Sequence, residues 1–455
     1  MHESLKGRIA HYSASNPARF HVPSHKGRGE GLVSRAFDIT ELEFSDNINH
    51  PNGQWLAEEE SLAQEFSVRA TLLSLNGSTA AVIAALCACL TSQDKAVIGA
   101  DSHVSAYYGL MHSGAAFVRA RQESPFFGPS LASFREAAEK APGLRLAFVT
   151  SPTYSGLVRD LGEIIQYFHE KGAFVVCDEA HGAHLPFADG YPPSAIALGA
   201  DIVIHSAYKT VNGPTQAAFL HINTPCIDVE DARRWLRTVQ TTSPSYPLAL
   251  DALDAARELK TAGMAFSNIK KWYNQIAEKF EKRGLFLVNK AEAQKNAGAS
   301  YDFAKIPIDF SSIGLNAASA AKTLGSEYGI FAEMSDERSA LFCAGMNSSE
   351  EDFSRLEKAV LSLPSGSFAP RAAVAPPLAE SMAPIRSAMQ AKWQWMGLER
   401  AVGMVCADFA GCYPPASVVL APGDRISLQA ASYLEAAHPA SRFGIENEKI
   451  KVASI

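Results

Sequence analysis

From about residue 56 onward, helix-like and strand-like patterns of apolar positions alternate along the chain. GQWLAEEESLAQEFSV places Leu56, Leu62 and Phe66 on one side of a helix. The next segments are predicted, in order, as helix STAAVIAALCACL, strand KAVIGAD, helix VSAYYGLMHSG, strand AAFVRA, helix PSLASFREAAEKA, strand LRLAFVTSP, helix GEIIQYFHEKG and the strands AFVVCDE and DIVIHSA. This alternation predicts an α/β fold.

Several of the predicted strands are apolar without interruption rather than at every second position. Strands of that kind are buried on both faces, as in a mainly parallel sheet that helices cover on both sides. Such sheets bind ligands at the carboxyl ends of their strands. Asp178 and Lys209 follow two of these ends, so the sequence predicts a site there.

The chain is predicted to divide into an extended arm and three larger units. A long helical stretch covers about residues 246–282, and later helices are expected around LERAVGMV and QAASYLEAA. The Pro- and Ala-rich run PSGSFAPRAAVAPP reads as a linker. The predicted units are an N-terminal arm (1–55), a large α/β domain (56–255), a small α+β domain (256–365) and a C-terminal domain (378–455).

Composition narrows the classes of function. The net charge is −7 and no segment is strongly basic, which argues against a nucleic-acid partner. No run of about 18 apolar residues occurs, and the N-terminus lacks the apolar core of a signal peptide, so we expect a cytoplasmic protein without a membrane partner. The seven cysteines are odd in number and have no paired spacing, so neither a disulfide framework nor a metal site is expected.

Two polar segments border predicted elements early in the chain. Asn76, Gly77, Ser78 and Thr79 stand directly before a helix, where backbone amides and two hydroxyl groups can hold a phosphate. The alternative is a plain helix capped by Ser78 or Thr79. His103 follows the strand KAVIGAD, and a histidine in that loop either stacks on a flat ligand or is solvated.

Asp178 and Lys209 carry the stronger signals. A carboxylate at the end of AFVVC requires a partner if it is buried, and a protonated pyridine nitrogen would serve. Equally, Asp178 or Glu179 could cap the turn that follows. Lysine is rarely buried unless it is paired or functional. A lysine, an anion and a helix N-terminus are together the groups that pyridoxal phosphate requires, for its imine, its ring nitrogen and its phosphate.

These segments resemble the pyridoxal-phosphate-dependent ornithine/lysine/arginine decarboxylases. The resemblance extends in family order over nearly the whole chain. It rests on FHVPSHKG, DITELEFSDNINHPNG, LLSLNGSTAA, DSHVSAYYGLMHSGA, VTSPTYSGLVRDL, CDEAHGAHLPF, GADIVIHSAYKT, QTTSPSYPLALDALDAA, MAPIRSA and CYPPASVVLAPGD. It implies fold type I, with a mainly parallel sheet of the seven-stranded type flanked by helices, smaller α+β units towards the C-terminus and cofactor binding in the large domain.

The resemblance also implies roles for particular residues. Lys209 would form the Schiff base with pyridoxal phosphate, and Asp178 would pair with the pyridine nitrogen. His103 would stack on one face of the ring, and Ala180 and His181 would pack against the other. The phosphate group would be held by Gly77, Ser78, Thr79 and Ser206, and by Ser243 from the partner subunit of a homodimer.

The implied reaction is decarboxylation of lysine, ornithine or arginine, in a short form without the N-terminal response-regulator-like domain of the large members. The chain departs from the family by having Tyr208 where histidine usually precedes the lysine, which makes Tyr208 a candidate catalytic residue. An aminotransferase, a lyase or another amino-acid-modifying enzyme of this fold is the alternative, and a non-enzymatic binding subunit is a third hypothesis.

Three further residues are candidate substrate contacts. Glu43 and Asp46 lie in a loop that differs from the family pattern, where they would bind the distal cation of the substrate or be solvated acids. Arg386, in MAPIRSA, would contact the substrate or be a surface arginine.

Overall fold

The computed structural model describes residues 4–15, 33–412, 417–437 and 441–454. Its first part contains, in chain order, α1 (Leu5–Ala14), α2 (Gln54–Glu65), β1 (Ala70–Ser74), α3 (Gly77–Cys89), β2 (Lys95–Gly99), α4 (Val104–Ser113), β3 (Ala116–Ala120), α5 (Leu131–Glu139), β4 (Leu146–Thr150), β5 (Leu157–Val158), α6 (Leu161–Glu170), β6 (Phe174–Asp178), β7 (Ile202–Ser206), β8 (Ala218–Ile222), α7 (Val229–Val239), α8 (Tyr246–Glu258) and α9 (Gly263–Lys282). The predicted arm therefore contains a helix, α1, rather than being extended throughout.

The second part follows α9 without a break. It contains β9 (Phe286–Leu287), α10 (Val288–Lys295), β10 (Ser300–Tyr301), β11 (Lys305–Asp309), α11 (Ala317–Tyr328), β12 (Met334–Ser335), β13 (Ser339–Cys343), α12 (Glu350–Ser362), α13 (Ile385–Gln390), β14 (Trp393–Gly397), α14 (Leu398–Ala401), β15 (Val405–Cys406), β16 (Ala410–Cys412), β17 (Ser417–Leu420), α15 (Leu428–Ala436), β18 (Arg442–Phe443), β19 (Ile445–Glu446) and β20 (Lys449–Ala453).

A seven-stranded sheet organises the first part, in the order β1-β8-β7-β6-β4-β2-β3. The strands from β7 to β3 pair in parallel, and β8 runs antiparallel to both of its neighbours. Every residue of β7 is buried, as the uninterrupted apolar pattern predicted. The predicted α/β class with a mainly parallel sheet is confirmed.

Helices cover both faces of this sheet. α3 is apolar all round and has nine buried residues, which is the pattern of a helix enclosed by other elements. It packs against α4, α7 and the sheet. The predicted helix over 246–282 is two helices, because the chain makes a short 3-10 turn at Leu259–Thr261 and restarts at Gly263.

Smaller sheets form the remainder. The second part has a four-stranded sheet, β12-β13-β11-β9, another built from β14, β20, β15 and β19, and a three-stranded sheet, β17-β16-β18. One apolar core joins the central sheet to residues up to Leu363. A second joins the sheet to C-terminal residues such as Ile385 and Val418, and a third lies among the C-terminal elements themselves. The helix predicted around LERAVGMV is a single turn, α14, followed by β15. The limits given for the four units stay predictions.

A buried ion pair joins β3 to the C-terminal elements. Arg119 donates to both carboxylate oxygens of Asp424, at 3.1 Å and 2.8 Å, to the hydroxyl group of Tyr107 at 3.0 Å and to the carbonyl of Ala379 at 3.2 Å. Both charged side chains are almost completely buried. Such a pair holds two segments in one position, because separating them would leave a buried charge without a partner.

No helix in the described ranges is long and apolar enough to cross a membrane.

Candidate active site

The carboxyl ends of β2, β4, β6 and β7 open into one cleft. The cleft has a volume of about 2080 Å³, larger than the roughly 300–1,000 Å³ of a typical small-molecule site. Its lining includes most of the predicted cofactor and catalytic residues, namely Gly77, Ser78, Thr79, His103, Asp178, Ala180, His181, Tyr208 and Lys209. The sheet therefore brings these residues together from four separate segments of the chain, which is the arrangement expected for a ligand site of a parallel sheet.

The N-terminus of α3 forms one end of the cleft. Gly77 has a φ of +77°, a conformation that glycine adopts without strain, and its amide donates to the carbonyl of Gln216 at 2.6 Å. The side chain of Asn76 does not cap the helix. Ser78 lies in the first turn, with its hydroxyl oxygen 2.5 Å from that of Ser206 at the end of β7. A helix N-terminus of this kind, with hydroxyl groups beside it, suits a phosphate group.

Asp178 and Lys209 come from neighbouring parallel strands. Asp178 ends β6, pairs in register with Thr150 and Ile204, and accepts a hydrogen bond from the amide of Ala180 at 3.1 Å. Lys209 follows β7 by three residues and is partly buried. Burial lowers the pKa of Lys209, and the charge of Asp178 acts in the opposite direction.

His103 is the N-cap residue of α4. Its Nδ1 accepts from the amide of Ser105 at 3.2 Å and lies 2.9 Å from the hydroxyl oxygen of the same residue. Burial lowers the pKa of His103. The charge of Asp178 raises this pKa, whereas the charge of Lys209 lowers it further. The loop histidine is thus fixed in orientation, and the charge of Asp178 acts on it as it does on Lys209.

His181 lies between two lysines, one of which the sequence did not single out. Its Nε2 is 3.2 Å from Nζ of Lys209, and its Nδ1 is 2.7 Å from Nζ of Lys305. The ring of Tyr154 packs edge-on against it at 4.9 Å. Lys305 is the first residue of β11, and a lysine within the apolar run KIPIDF was the signal available in the sequence.

A second carboxyl group, that of Asp101, lines the cleft after β2. Both of its oxygens are buried and have no hydrogen-bond partner among the described residues. A Cβ atom on Gly99 or Gly128 would approach them within 2.4 Å and 2.6 Å, so the two glycines leave room for this side chain. Burial raises the pKa of Asp101 to about 7.

Behind the strand ends, Glu179 anchors a buried network. Its carboxylate accepts from the amide of Ala195 at 2.8 Å and from the hydroxyl group of Ser194 at 2.5 Å, and Nε2 of His205 lies at 2.8 Å. His205 lies 3.1 Å from His221, which lies 2.9 Å from the hydroxyl group of Thr71. Burial lowers the pKa of His221 well below its usual range. The network crosses β7, β8 and β1.

The remaining predicted residues lie outside the cleft of their own chain. Asp46 accepts from the amides of Gly53 and Trp55, both at 3.0 Å, and so holds the start of α2. Three others have exposed side chains and do not line the cleft: Glu43, Ser243 and Arg386. Ser206 lies below the lining residues and reaches the site through Ser78.

Comparison with known proteins identifies the family. A family profile described as "Orn/Lys/Arg decarboxylase, major domain" matches residues 5–297, more than half of the chain. The chain belongs to the Orn/Lys/Arg decarboxylase family. The predicted resemblance is confirmed, and with it, at the level of the family, the predicted decarboxylation of a basic amino acid.

The relatives of this family member include two arginine decarboxylases. That of Halalkalibacterium halodurans is 29% identical over 462 residues, covering 94% of this chain and 92% of the relative. That of Bacillus subtilis is 28% identical over 446 residues, covering 93% and 91%.

Solved structures share the fold. The Francisella novicida lysine decarboxylase superimposes with a TM-score of 0.83 at 16% identity, over 99% of this chain and 81% of that chain. A structure of SPT with PLP superimposes with a TM-score of 0.56 at 16% identity, over 70% of this chain and 79% of its own. At these identities the likeness shows the fold alone, which is one that enzymes dependent on pyridoxal phosphate use.

We expect Asp101→Asn to change how folding stability depends on pH. The folded pKa of about 7 exceeds the ordinary value of 3.8, so the folded state binds the proton more tightly, and this contribution to stability is lost as the pH rises towards 7. The asparagine side chain of the variant does not titrate, so the variant lacks this loss. Between pH 5 and pH 8, its free energy of unfolding relative to that of the wild type should therefore rise by about 1–4 kcal/mol. Urea unfolding at both pH values measures the difference.

Asp251→Asn is the matched control, because Asp251 is exposed on α8. Parallel stability curves for the wild type and Asp101→Asn over this range would contradict a protonated buried carboxyl group.

Proposed function

We propose that this enzyme decarboxylates L-arginine to agmatine and carbon dioxide, using pyridoxal phosphate bound at Lys209. The observation that carries the proposal is that Lys209, Asp178 and the N-terminus of α3 share one cleft. Arginine is favoured over lysine because four of the relatives that match over nine-tenths of both chains are named arginine decarboxylases. The lysine decarboxylase of Pseudomonas aeruginosa matches only 59% of this chain, at 21% identity.

The residues at the base of the cleft fit the cofactor. Uncapped amides at the start of α3, the hydroxyl groups of Ser78 and Ser206, and the adjacent Thr79 would hold its phosphate. The buried carboxylate of Asp178 would hold a proton on the ring nitrogen, since an opposite charge favours the protonated form. Lys209 would supply the amine for covalent attachment.

The cofactor supplies an electron-withdrawing ring when it is bound. The protein's own contribution is positioning and charge. His103, held by Ser105, and Ala180, which also lines the cleft, would confine a flat ring between them. A substrate carboxylate placed among largely desolvated groups would lose its charge more readily as carbon dioxide, because burial disfavours the charged state.

We expect purified enzyme to release carbon dioxide and agmatine from arginine, with kcat/KM at least about tenfold above the values for lysine and ornithine. Each amino acid is incubated separately, and both products are measured. Lys209→Ala should abolish activity and the absorbance band at about 420 nm that pyridoxal phosphate shows when bound to a lysine.

Lys282→Ala is the control, because Lys282 is exposed on α9 and should keep both properties. A keto acid in place of the amine would favour an aminotransferase. Faster turnover of lysine would move the assignment to that substrate.

We propose that the phenol of Tyr208 supplies the proton that the α-carbon of the substrate takes up once carbon dioxide has left. Tyr208 lines the cleft, 38% exposed, and directly precedes Lys209. Removing its hydroxyl group in Tyr208→Phe should lower kcat about 100-fold and leave KM nearly unchanged. Tyr208→His, which keeps an acid at this position, should recover part of the loss. Steady-state kinetics on arginine measure both.

Tyr167→Phe serves as the matched control, since Tyr167 packs on α6 against Phe168, outside the cleft. A kcat within about twofold of wild type for Tyr208→Phe would rule out this role.

We propose that the enzyme acts as a homodimer with sites completed across the interface. Glu43, Ser243 and Arg386 are exposed outside the cleft of their own chain, so any contact they make with substrate or cofactor requires a second subunit. Sedimentation equilibrium of the cofactor-bound protein should give twice the mass of the chain. A mass equal to a single chain at assay concentration would exclude the shared site.

A further inference from the structure

The side chain of Lys305 is a buried amine without an acidic partner. The residue is 1% exposed, and no carboxylate in the described part of the chain lies within ion-pair distance of its Nζ. Burying an amino group is costly unless its hydrogen bonds are satisfied. The hydrogen bonds of Nζ therefore have to offset the cost of burying a lysine at this position.

Two contacts hold the amino group of Lys305. One is Nδ1 of His181 at 2.7 Å, and the other is Sγ of Cys343 at 3.4 Å, on the neighbouring strand β13. The backbone leaves space for the side chain, because a Cβ atom on Gly156 would lie 2.7 Å from Cβ and 2.8 Å from Cγ of Lys305. Gly156 has a φ of +86°, which favours glycine for a second reason.

The proton positions on His181 follow from these contacts. Burial, together with the nearby Lys305 and Lys209, lowers the pKa of His181 well below its usual range, so the ring is neutral. A neutral imidazole has one donor and one acceptor nitrogen, and a lysine ammonium group only donates. Nδ1 accordingly accepts from Lys305, and Nε2 carries the hydrogen.

That hydrogen points to Lys209. Nε2 of His181 and Nζ of Lys209 are 3.2 Å apart, so an Nε2–H donor requires an unprotonated amine as its acceptor. The charged and titratable groups that act on Lys209 are Asp178, His103, His181, Lys305, Glu333 and Cys343. Among these, Lys305 opposes protonation of Lys209 in two ways. Its positive charge disfavours a second one nearby, and its contact with Nδ1 of His181 leaves Nε2–H as the donor that faces the amine of Lys209.

We propose that Lys305 is a positioning residue that holds His181 as the Nε2–H tautomer and thereby keeps the amine of Lys209 unprotonated and nucleophilic. The inference rests on the proposed role of Lys209 as the anchor of the cofactor. It adds that the protonation state of this amine is controlled by a residue of β11, a strand that belongs to a different sheet.

The test measures the protonation of Lys209 directly. Full-length protein freed of bound cofactor is labelled with trace acetic anhydride between pH 6 and pH 11, and acetylation of the Lys209 peptide is quantified by mass spectrometry. In Lys305→Met the labelling midpoint of Lys209 should rise by about one pH unit or more, because a like charge and a fixed donor are lost. A midpoint unchanged in the folded variant overturns the proposal.

Lys295→Met is the matched control, because it removes an exposed lysine of α10 that pairs with Glu292. In this variant, the labelling midpoint of Lys209 should equal that of the wild type. Because no substrate or cofactor takes part, the labelling result is independent of whether arginine is decarboxylated. Absence of the 420 nm band from the wild-type protein would count against the proposed function. An unchanged labelling midpoint in Lys305→Met would count against the role of Lys305.

A second measurement needs no variant at position 305. Nitrogen NMR of histidine-labelled wild-type protein, with the signals of His181 assigned from a His181→Asn sample, distinguishes the two neutral tautomers and the imidazolium ion. The Nε2–H tautomer is expected. Observation of the Nδ1–H tautomer or of the imidazolium ion at pH 7.5 overturns the proposal even if Lys305→Met does not fold.

Discussion

The buried carboxylate of Glu179 holds together the two strands on which the chemistry depends. It follows Asp178 directly, and its partner His205 directly precedes Ser206, so one contact of 2.8 Å fixes the ends of β6 and β7 relative to each other. The bonds from Ser194 and Ala195 satisfy the carboxylate further. Burying a carboxylate is costly unless its oxygens are hydrogen-bonded, and these contacts offset that cost for Glu179. Ser206, which is proposed to hold the phosphate, and Asp178, which is proposed to hold the ring nitrogen, are therefore positioned by the same group.

Burial lowers the pKa values of three basic groups near the strand ends. The pKa values of Lys209, His103 and His181 are all lowered, with desolvation as the largest cause in each case. Their neutral forms are those that accept hydrogen bonds or attack carbon, and a neutral amine is what covalent attachment of an aldehyde requires. Asp178 acts in the opposite direction on Lys209 and His103. Around Lys209, the cleft thus combines the carboxyl group of Asp178 with bases whose pKa values burial lowers.

Much of the site could be read from the sequence, because its signals are local. Uninterrupted apolar runs predicted the buried strands, and the ends of those runs located Asp178 and Lys209. The contact between His181 and Lys305 spans 124 residues and two sheets, so no local pattern encodes it. Asp101 was missed for a similar reason: its burial depends on Gly99 and Gly128, which become neighbours only after folding. The break between α8 and α9 was not predicted from the sequence, because the apolar positions of both helices have helical spacing.

The ion pair of Arg119 and Asp424 has a consequence for the order of assembly during synthesis. The two residues are 305 positions apart, and the carboxylate belongs to the last elements of the chain. The guanidinium group cannot be buried beside Tyr107 until that carboxylate arrives, because a buried charge without its partner is costly. Although domains tend to fold from the N-terminus as they emerge from the ribosome, the β3 side of the central sheet reaches its final packing only after Asp424 has been synthesised.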